Sequence, residues 1–292
     1  MKYNVEIANI QIGGDSIDEM ILQLQSVVGS ADYTGIVTEI KESIQSLTPD
    51  YPIIFEENDS QSVLAHLEYG PHHGRPFHKI SYKPSYKLWL HAAAHELMHL
   101  EMYTKATLCH RGIVFKRNEA NDISFNKRFG QAFTRLAPRI GAENVPKLQR
   151  MVQDGIITQM LSCPLDLFVE QHLRDRYAGL AALQLMSLLN QERINISQHH
   201  DSTTSLMPPK IVSVNKVLCM TTSLMLKEFY GLDFIQLYNP SRREIDIAKD
   251  FYEEYQAYRD TYNDGDEYEL YDYFIESLDM VGIINKIKEQ YA

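Results

Sequence analysis

The run Tyr86-Lys-Leu-Trp-Leu-His-Ala-Ala-Ala-His-Glu-Leu-Met-His-Leu-Glu-Met102 constrains this chain more than any other. From Leu88 to Met102 it holds no Gly or Pro, and Ala92, Ala93 and Ala94 are the strongest helix formers, so it predicts a helix. Leu90, Leu97, Met98 and Leu100 make most of the remaining surface apolar, which predicts burial. Within it, His95-Glu96-Leu97-Met98-His99 places two imidazoles at i and i+4, roughly 6 Å apart on one face. Two imidazoles so placed can close on one metal ion, with the intervening glutamate able to reach a water beside it. Polar groups on a buried helix need partners, and a metal supplies one. Two core histidines bonded to nearby carbonyls are the plainer alternative. The uninterrupted apolar context favours the metal. His91 shares the face, but His91 to His99 spans about 12 Å of helix rise against zinc–nitrogen bonds of about 2 Å. It can only line the cleft.

A chain of 292 residues can bury a large core as one large domain or two modest ones. A net charge of −11 argues against a nucleic-acid partner, which needs a basic surface. Cys109, Cys163 and Cys219 are an odd, widely spaced set, which fits a reducing compartment and buried thiols. The stretch Met1-Lys-Tyr-Asn-Val-Glu-Ile7 has no apolar signal-peptide core, and no run approaches a membrane span, so the expected location is cytoplasmic, with no membrane partner.

Along the chain, a cap at Asp15–Ser16 and apolar spacing at Ile21, Leu22, Leu24, Val27 and Val28 predict one amphipathic helix. Ile36, Val37, Ile40 and Ile44 predict a second over 34–47. Strands are expected at 52–55, 62–69 and 78–82, the last as an edge strand beside the motif helix, where an extended peptide can add as a further strand. His72 and His73, in the irregular loop 70–76, read as solvated turn residues rather than metal ligands. Helices are expected at 126–136, 145–161, 164–177, 181–193, 211–229, 243–262, 267–278 and 281–291, with 194–210 as a long loop or hinge. The predicted class is α+β, predominantly helical, with a small N-terminal sheet (52–82) packed on the motif helix (87–103). The expected division is 1–195, containing the site, and a helical region 196–292. From Glu244 to Glu289 fourteen acids face four basic residues and interleave with seven tyrosines. That pattern reads as a solvated acidic face over a tyrosine-rich packing face, with attraction of a basic protein partner as the functional alternative.

A hydrolytic zinc needs three protein ligands and an open position. Two carboxylates compete for the third. Glu119 sits in polar company, with Lys116, Arg117, Asn118 and Asn121. Asp166 and Glu170 stand at i and i+4 on a helix otherwise built from Leu165, Leu167, Phe168, Val169 and Leu173. Stacked carboxylates on an apolar helix are costly unless something cationic sits opposite. Glu170 is therefore assigned as ligand and Asp166 as the acceptor that orients a ligand histidine. A structural pair with Arg174 or Arg176, and Glu119 as ligand, are the alternatives.

His95-Glu96-x-x-His99 resembles the active-site helix of the zincin metallopeptidases, and a glutamate third ligand on a later helix makes it gluzincin-like. The metzincin extension is absent, because Lys105 and Met102 stand where its third His and Gly belong. The Glu119 spacing is similar to that of thermolysin-type gluzincins, with Asp122 one position short of their orienting acid. Pro164-x-Asp166-x-x-x-Glu170 is broadly similar to bacterial cytoplasmic ImmA/IrrE-type peptidases. The resemblance covers residues 50–180 or so. It implies one zinc per chain on His95, His99 and Glu170, with Glu96 as general base in peptide-bond hydrolysis, as an endopeptidase of narrow range acting on a peptide or protein substrate. A second electrophile is expected from Tyr103, His172 or Tyr177, of which His172 faces away from Glu170's side. A latent or non-catalytic zinc-containing interaction module is the competing reading, and hydrolysis of a non-peptide amide a third.

Overall fold

Alternation at the very start of the chain sets the first element. Tyr3, Val5 and Ile7 turn inward while Asn4 and Glu6 face water, and this strand, β1 (Tyr3–Ile7), pairs antiparallel with β2 (Ile10–Gly14). The computed structural model describes residues 3–7, 10–61, 63–86, 88–200, 204 and 206–288. They form a predominantly helical α+β fold, in two compact units.

The first unit comprises residues 1–112 and 168–191. Ser16 caps α1 (Ile17–Gly29), its Oγ accepting from the Glu19 amide at 3.2 Å. In α2 (Thr34–Leu47) the buried side chains are Val37, Ile40 and Ile44. A three-stranded sheet follows in the order β3-β5-β4. β3 (Ile53–Glu57) runs parallel to β5 (His78–Tyr82), and β4 (Ala65–Glu68) runs antiparallel to it. The strand at 78–82 is thus central, not the expected edge. Four of its five side chains are buried, as suits a strand covered on both faces. The edge is β4. The motif helix, α3 (Trp89–Leu108), packs against α2, β4 and β5. The unit is completed by residues 168–176 of α6 (Val145–Arg176) and the first half of α7 (Ala181–His200).

The second unit comprises residues 113–167 and 192–292. In this grouping residues 113–167 fall with the C-terminal region rather than with the motif helix. Asn118 opens α4 (Glu119–Thr134) with a capping box, seven residues before the expected start. The short α5 (Ala137–Ile140) leads to α6, a single 32-residue helix where two were expected, running through Pro164. Pro164 cannot donate to the preceding turn, a cost of about 3 kcal/mol that burial of Met160, Cys163 and Leu167 around it offsets.

α7 continues to His200, well into the expected hinge at 194–210, because Asn195 is buried and His199 packs on Tyr238 at 5.5 Å between ring centres. α8 (Pro209–Tyr230) and α9 (Arg242–Asp260) pack together, and α10 (Glu267–Ser277) follows. β6 (Ile113–Lys116) pairs antiparallel with β7 (Asn285–Lys288), a strand where the sequence predicts a helix. Residues 289–291 of that predicted helix lie outside the described ones. Tyr252, Tyr255, Tyr268 and Tyr271 are buried, while Asp246, Asp250, Glu253, Asp260, Asp272 and Glu276 face water. Among the described residues, no helix is long and apolar enough to cross a membrane.

Candidate metal centre

Between His91 and Thr104, α3 leaves only Ala92, His95, Glu96, His99 and Tyr103 out of the core. Helical periodicity gathers these five into one stripe, and the other side chains of that stretch are buried. Over this stretch the polar groups of the open stripe are His95, Glu96, His99 and Tyr103.

The two motif histidines face each other through their Nε2 atoms, 3.0 Å apart. His95 turns its other nitrogen, Nδ1, to Glu170 Oε1 at 2.8 Å. A neutral ring that donates from Nδ1 carries a lone pair on Nε2, so His95 aims that lone pair at His99. Two imidazole nitrogens converging in this way repel unless a proton or a cation lies between them. Tetrahedral zinc, with bonds of about 2.0–2.1 Å, separates two ligand nitrogens by about 3.3 Å. The observed spacing needs only a small outward shift to match it.

Glu170 does not fill the role expected of it. Besides His95, its carboxylate meets His91 Nε2 at 3.2 Å and accepts from Gln184 Nε2 at 2.7 Å, both at Oε2. Gln184 also donates to the Glu170 carbonyl at 2.8 Å. Glu170 is only 3% exposed. Burial pushes its carboxyl up, but the two imidazoles that face it, His91 and His95, outweigh that and hold it well below the usual carboxylate range. It approaches His95 from the side opposite to His99. Asp166, one turn earlier on α6, is the carboxylate that joins the histidines: His95, His99 and Asp166 each offer a ligand atom, all within 4.8 Å of one another. Among the described residues this is the one such group of His, Cys, Asp and Glu. The structure thus sets Glu170 against His95 Nδ1 and Asp166 beside the histidine pair, the reverse of the expected placement.

Glu119 is exposed in the first turn of α4 and Asp122 pairs with Arg117, so the thermolysin-type spacing is not taken up. Sequence reasoning places His91 beside the cleft, and it is instead a buried partner of Glu170. Gln184 carries no sequence signal. Nothing in its neighbourhood distinguishes it from a surface glutamine until α7 docks.

α3 and α6 are braced two turns further on. Glu101, buried, receives both Oε contacts from Arg176 Nη1 at 2.8 Å and one from Lys105 at 2.7 Å. Burial raises its carboxyl, and the hydrogen bonds of Arg176 and Lys105 more than offset that, leaving it below the usual range. Glu96 Oε2 accepts from the Leu67 amide of the edge strand β4 at 3.1 Å. That N–H points away from β5 and fixes one carboxylate oxygen, leaving Oε1 for a water. Of the three expected electrophiles, Tyr177 receives a hydrogen bond from Arg176 at 3.2 Å, and burial together with Arg176 lowers the pKa of His172. Tyr103 alone belongs to the open stripe, and its Oη lies 2.8 Å from His72 Nε2. His72 is exposed, as expected, yet engaged, and His73 is exposed beside it.

The donor set is two imidazoles and one carboxylate, with a buried carboxylate behind one imidazole. It fits zinc by ligand type and by spacing. No family model, no curated protein and no solved structure matches the chain.

Proposed function

We propose that this protein is a zinc-dependent peptidase whose metal is held by His95, His99 and Asp166, one ion per chain. The observation that carries the reading is the convergence of the two Nε2 atoms at 3.0 Å, with the Asp166 carboxylate beside them and Glu170 fixing the His95 tautomer from behind. When bound, zinc supplies Lewis acidity, which acidifies a water and polarises a carbonyl. Glu96 accepts the proton of that water as its oxygen bonds to the peptide carbonyl carbon and the carbonyl π pair moves onto oxygen. Glu96 then hands the proton to the amide nitrogen as the C–N bond breaks. The Leu67 amide orients Glu96 for both transfers. An extended peptide laid along the edge of β4 places its carbonyl beside the stripe of α3.

Glu96→Gln tests the reading. It preserves shape and the Leu67 contact but removes the base. The expected outcome is unchanged zinc content with peptide cleavage reduced by at least about 100-fold, the usual contribution of such a base. Full activity in Glu96→Gln would sink the mechanism and leave the ion structural.

A further inference from the structure

Among the described residues eight buried side-chain nitrogen and oxygen atoms have no hydrogen-bond partner, and five of them belong to Glu192, His199, Ser223 and Tyr238. All four residues lie in the second unit. Folded proteins leave few such atoms, so their concentration in one unit points to a ligand. Glu192 stands on α7, Ser223 on α8, and Tyr238 ends the short helical turn Ile235–Tyr238. Their exposures are 2%, 0% and 1%. The Ser223 and Tyr238 hydroxyls lie near enough to Glu192 to favour its ionised form. Yet neither hydroxyl, nor Glu192 Oε1, completes a hydrogen bond of ordinary geometry.

No cationic side chain answers this carboxylate. Burial raises its carboxyl, and only the two hydroxyls act against that; no Lys, Arg or His does. His199 packs edge-on to Tyr238 at 5.5 Å between ring centres, but burial lowers its pKa to about 4 and keeps it neutral. Facing Glu192 from α8, the Cys219 thiol is pushed up to about 12, first by burial and then by Glu192. Burial and Glu192 also raise the Tyr238 hydroxyl, so both groups stay protonated. A lone carboxylate in such surroundings takes up a proton or pairs with a cation.

The donor set decides which cation. Among the described residues Glu192 joins no group of three His, Cys, Asp or Glu with converging ligand atoms, and Cys219 offers no thiolate. That disfavours zinc and the softer transition metals. Calcium draws about six to eight oxygens, several of them from carboxylates, and here one acid stands alone. Glu192 Oε1 and two neutral hydroxyl oxygens, each with lone pairs to accept, suit a hard ion of single charge. We infer that Glu192 Oε1, Ser223 Oγ and Tyr238 Oη form a binding site for a monovalent alkali cation. The ion neutralises the carboxylate where α7, α8 and the 235–238 turn come together, and it competes with a proton for the same oxygen. This site is independent of the peptidase reading.

The test is urea unfolding of the full chain at pH 8 in choline chloride, with KCl or NaCl replacing choline at constant ionic strength. One of the two ions is expected to raise the folding constant saturably, about tenfold at ten times its dissociation constant. At pH 5, two units below the carboxyl's value of about 7, the proton holds the oxygen and the apparent affinity should fall about 100-fold. Glu192→Gln keeps the volume, so it should fold and lose the ion response at both pH values. Tyr238→Phe keeps the ring and should weaken the ion about tenfold. Equal midpoints in choline, Na+ and K+ at pH 8 would overturn the inference, as would the same ion response in Glu192→Gln. Methylammonium forms the last arm: stabilisation by it and by neither alkali ion would assign the oxygens to an amino group and overturn the alkali site.

Discussion

Glu170 Oε1 lies 2.8 Å from His95 Nδ1, on the opposite side of the imidazole from the nitrogen that faces His99. A carboxylate there sets which ring nitrogen carries the proton and leaves the other as a pure acceptor. His91 and Gln184 occupy the second oxygen, so Glu170 is itself held from two further directions. The pattern puts a buried carboxylate behind His95, with the imidazole ring between it and His99.

Zinc affinity therefore separates the two carboxylates. Asp166→Ala removes a donor outright and is expected to abolish stoichiometric zinc in the purified protein. Glu170→Gln keeps volume and a hydrogen-bonding oxygen, and is expected to weaken zinc by about 10–100-fold, the range for an orienting partner. Competition titration against a chromophoric chelator reads both. Zinc lost from Glu170→Gln but retained in Asp166→Ala would restore the assignment made from sequence.

That exchange marks where the sequence stops being legible. His95, Glu96 and His99 are readable because a four-residue spacing on a helix fixes their geometry locally, and Ala92–Ala94 make the helix certain enough to use. Asp166 and Glu170 are readable as a pair for the same reason. Which of them backs His95 Nδ1 and which lies beside the histidine pair depends on the rotation and depth of α6, a non-local quantity. The edge of the sheet fails in the same way, since β5 looks like the strand nearest the motif helix in sequence but pairs on both sides. β7 fails because its partner β6 lies far upstream, and Asn285-Lys-Ile-Lys288 carries too little pattern to oppose a helical reading. The hairpin of β1 and β2 is absent from the expected elements, although Tyr3, Val5 and Ile7 alternate at the period of a strand.

The brace between α3 and α6 gives a pH-dependent prediction. Glu101 is held below its usual range by Arg176 and Lys105 against the cost of burial. A depressed folded pKa contributes stability that is present above the ordinary carboxylate pKa and is lost as pH falls through the folded value. Arg176→Ala leaves the buried carboxylate with Lys105 alone, and is expected to cost about 1–3 kcal/mol at pH 7. The gap between wild type and variant should begin to narrow below the ordinary carboxylate pKa and close only once pH has fallen through the depressed folded value of Glu101. Urea melts in a series from pH 7 into acid measure it, and a gap that stays constant across the series would remove the ion pair as its cause.

The opposite sign is expected in the second unit. Glu192 is 2% exposed, with its Oε1 lacking a hydrogen-bond partner among the described residues, and burial raises its carboxyl pKa to about 7. Ser223 and Tyr238 favour the ionised form but do not offset the burial. A raised folded pKa contributes stability that is fully present below the unfolded value, near 4.5, and is lost as pH rises through 7. Glu192→Gln replaces the acid with a group that never ionises, so it escapes that loss. Relative to wild type, the variant should gain stability between pH 5 and pH 8, approaching about 3 kcal/mol if the full shift is realised. Glu267 is raised to about 7 by its own burial and titrates over the same window. It is present in both proteins and cancels in the difference. Denaturant midpoints of wild type and Glu192→Gln across that range decide the matter, and a difference that stays flat with pH would show that Glu192 is not the buried acid that titrates.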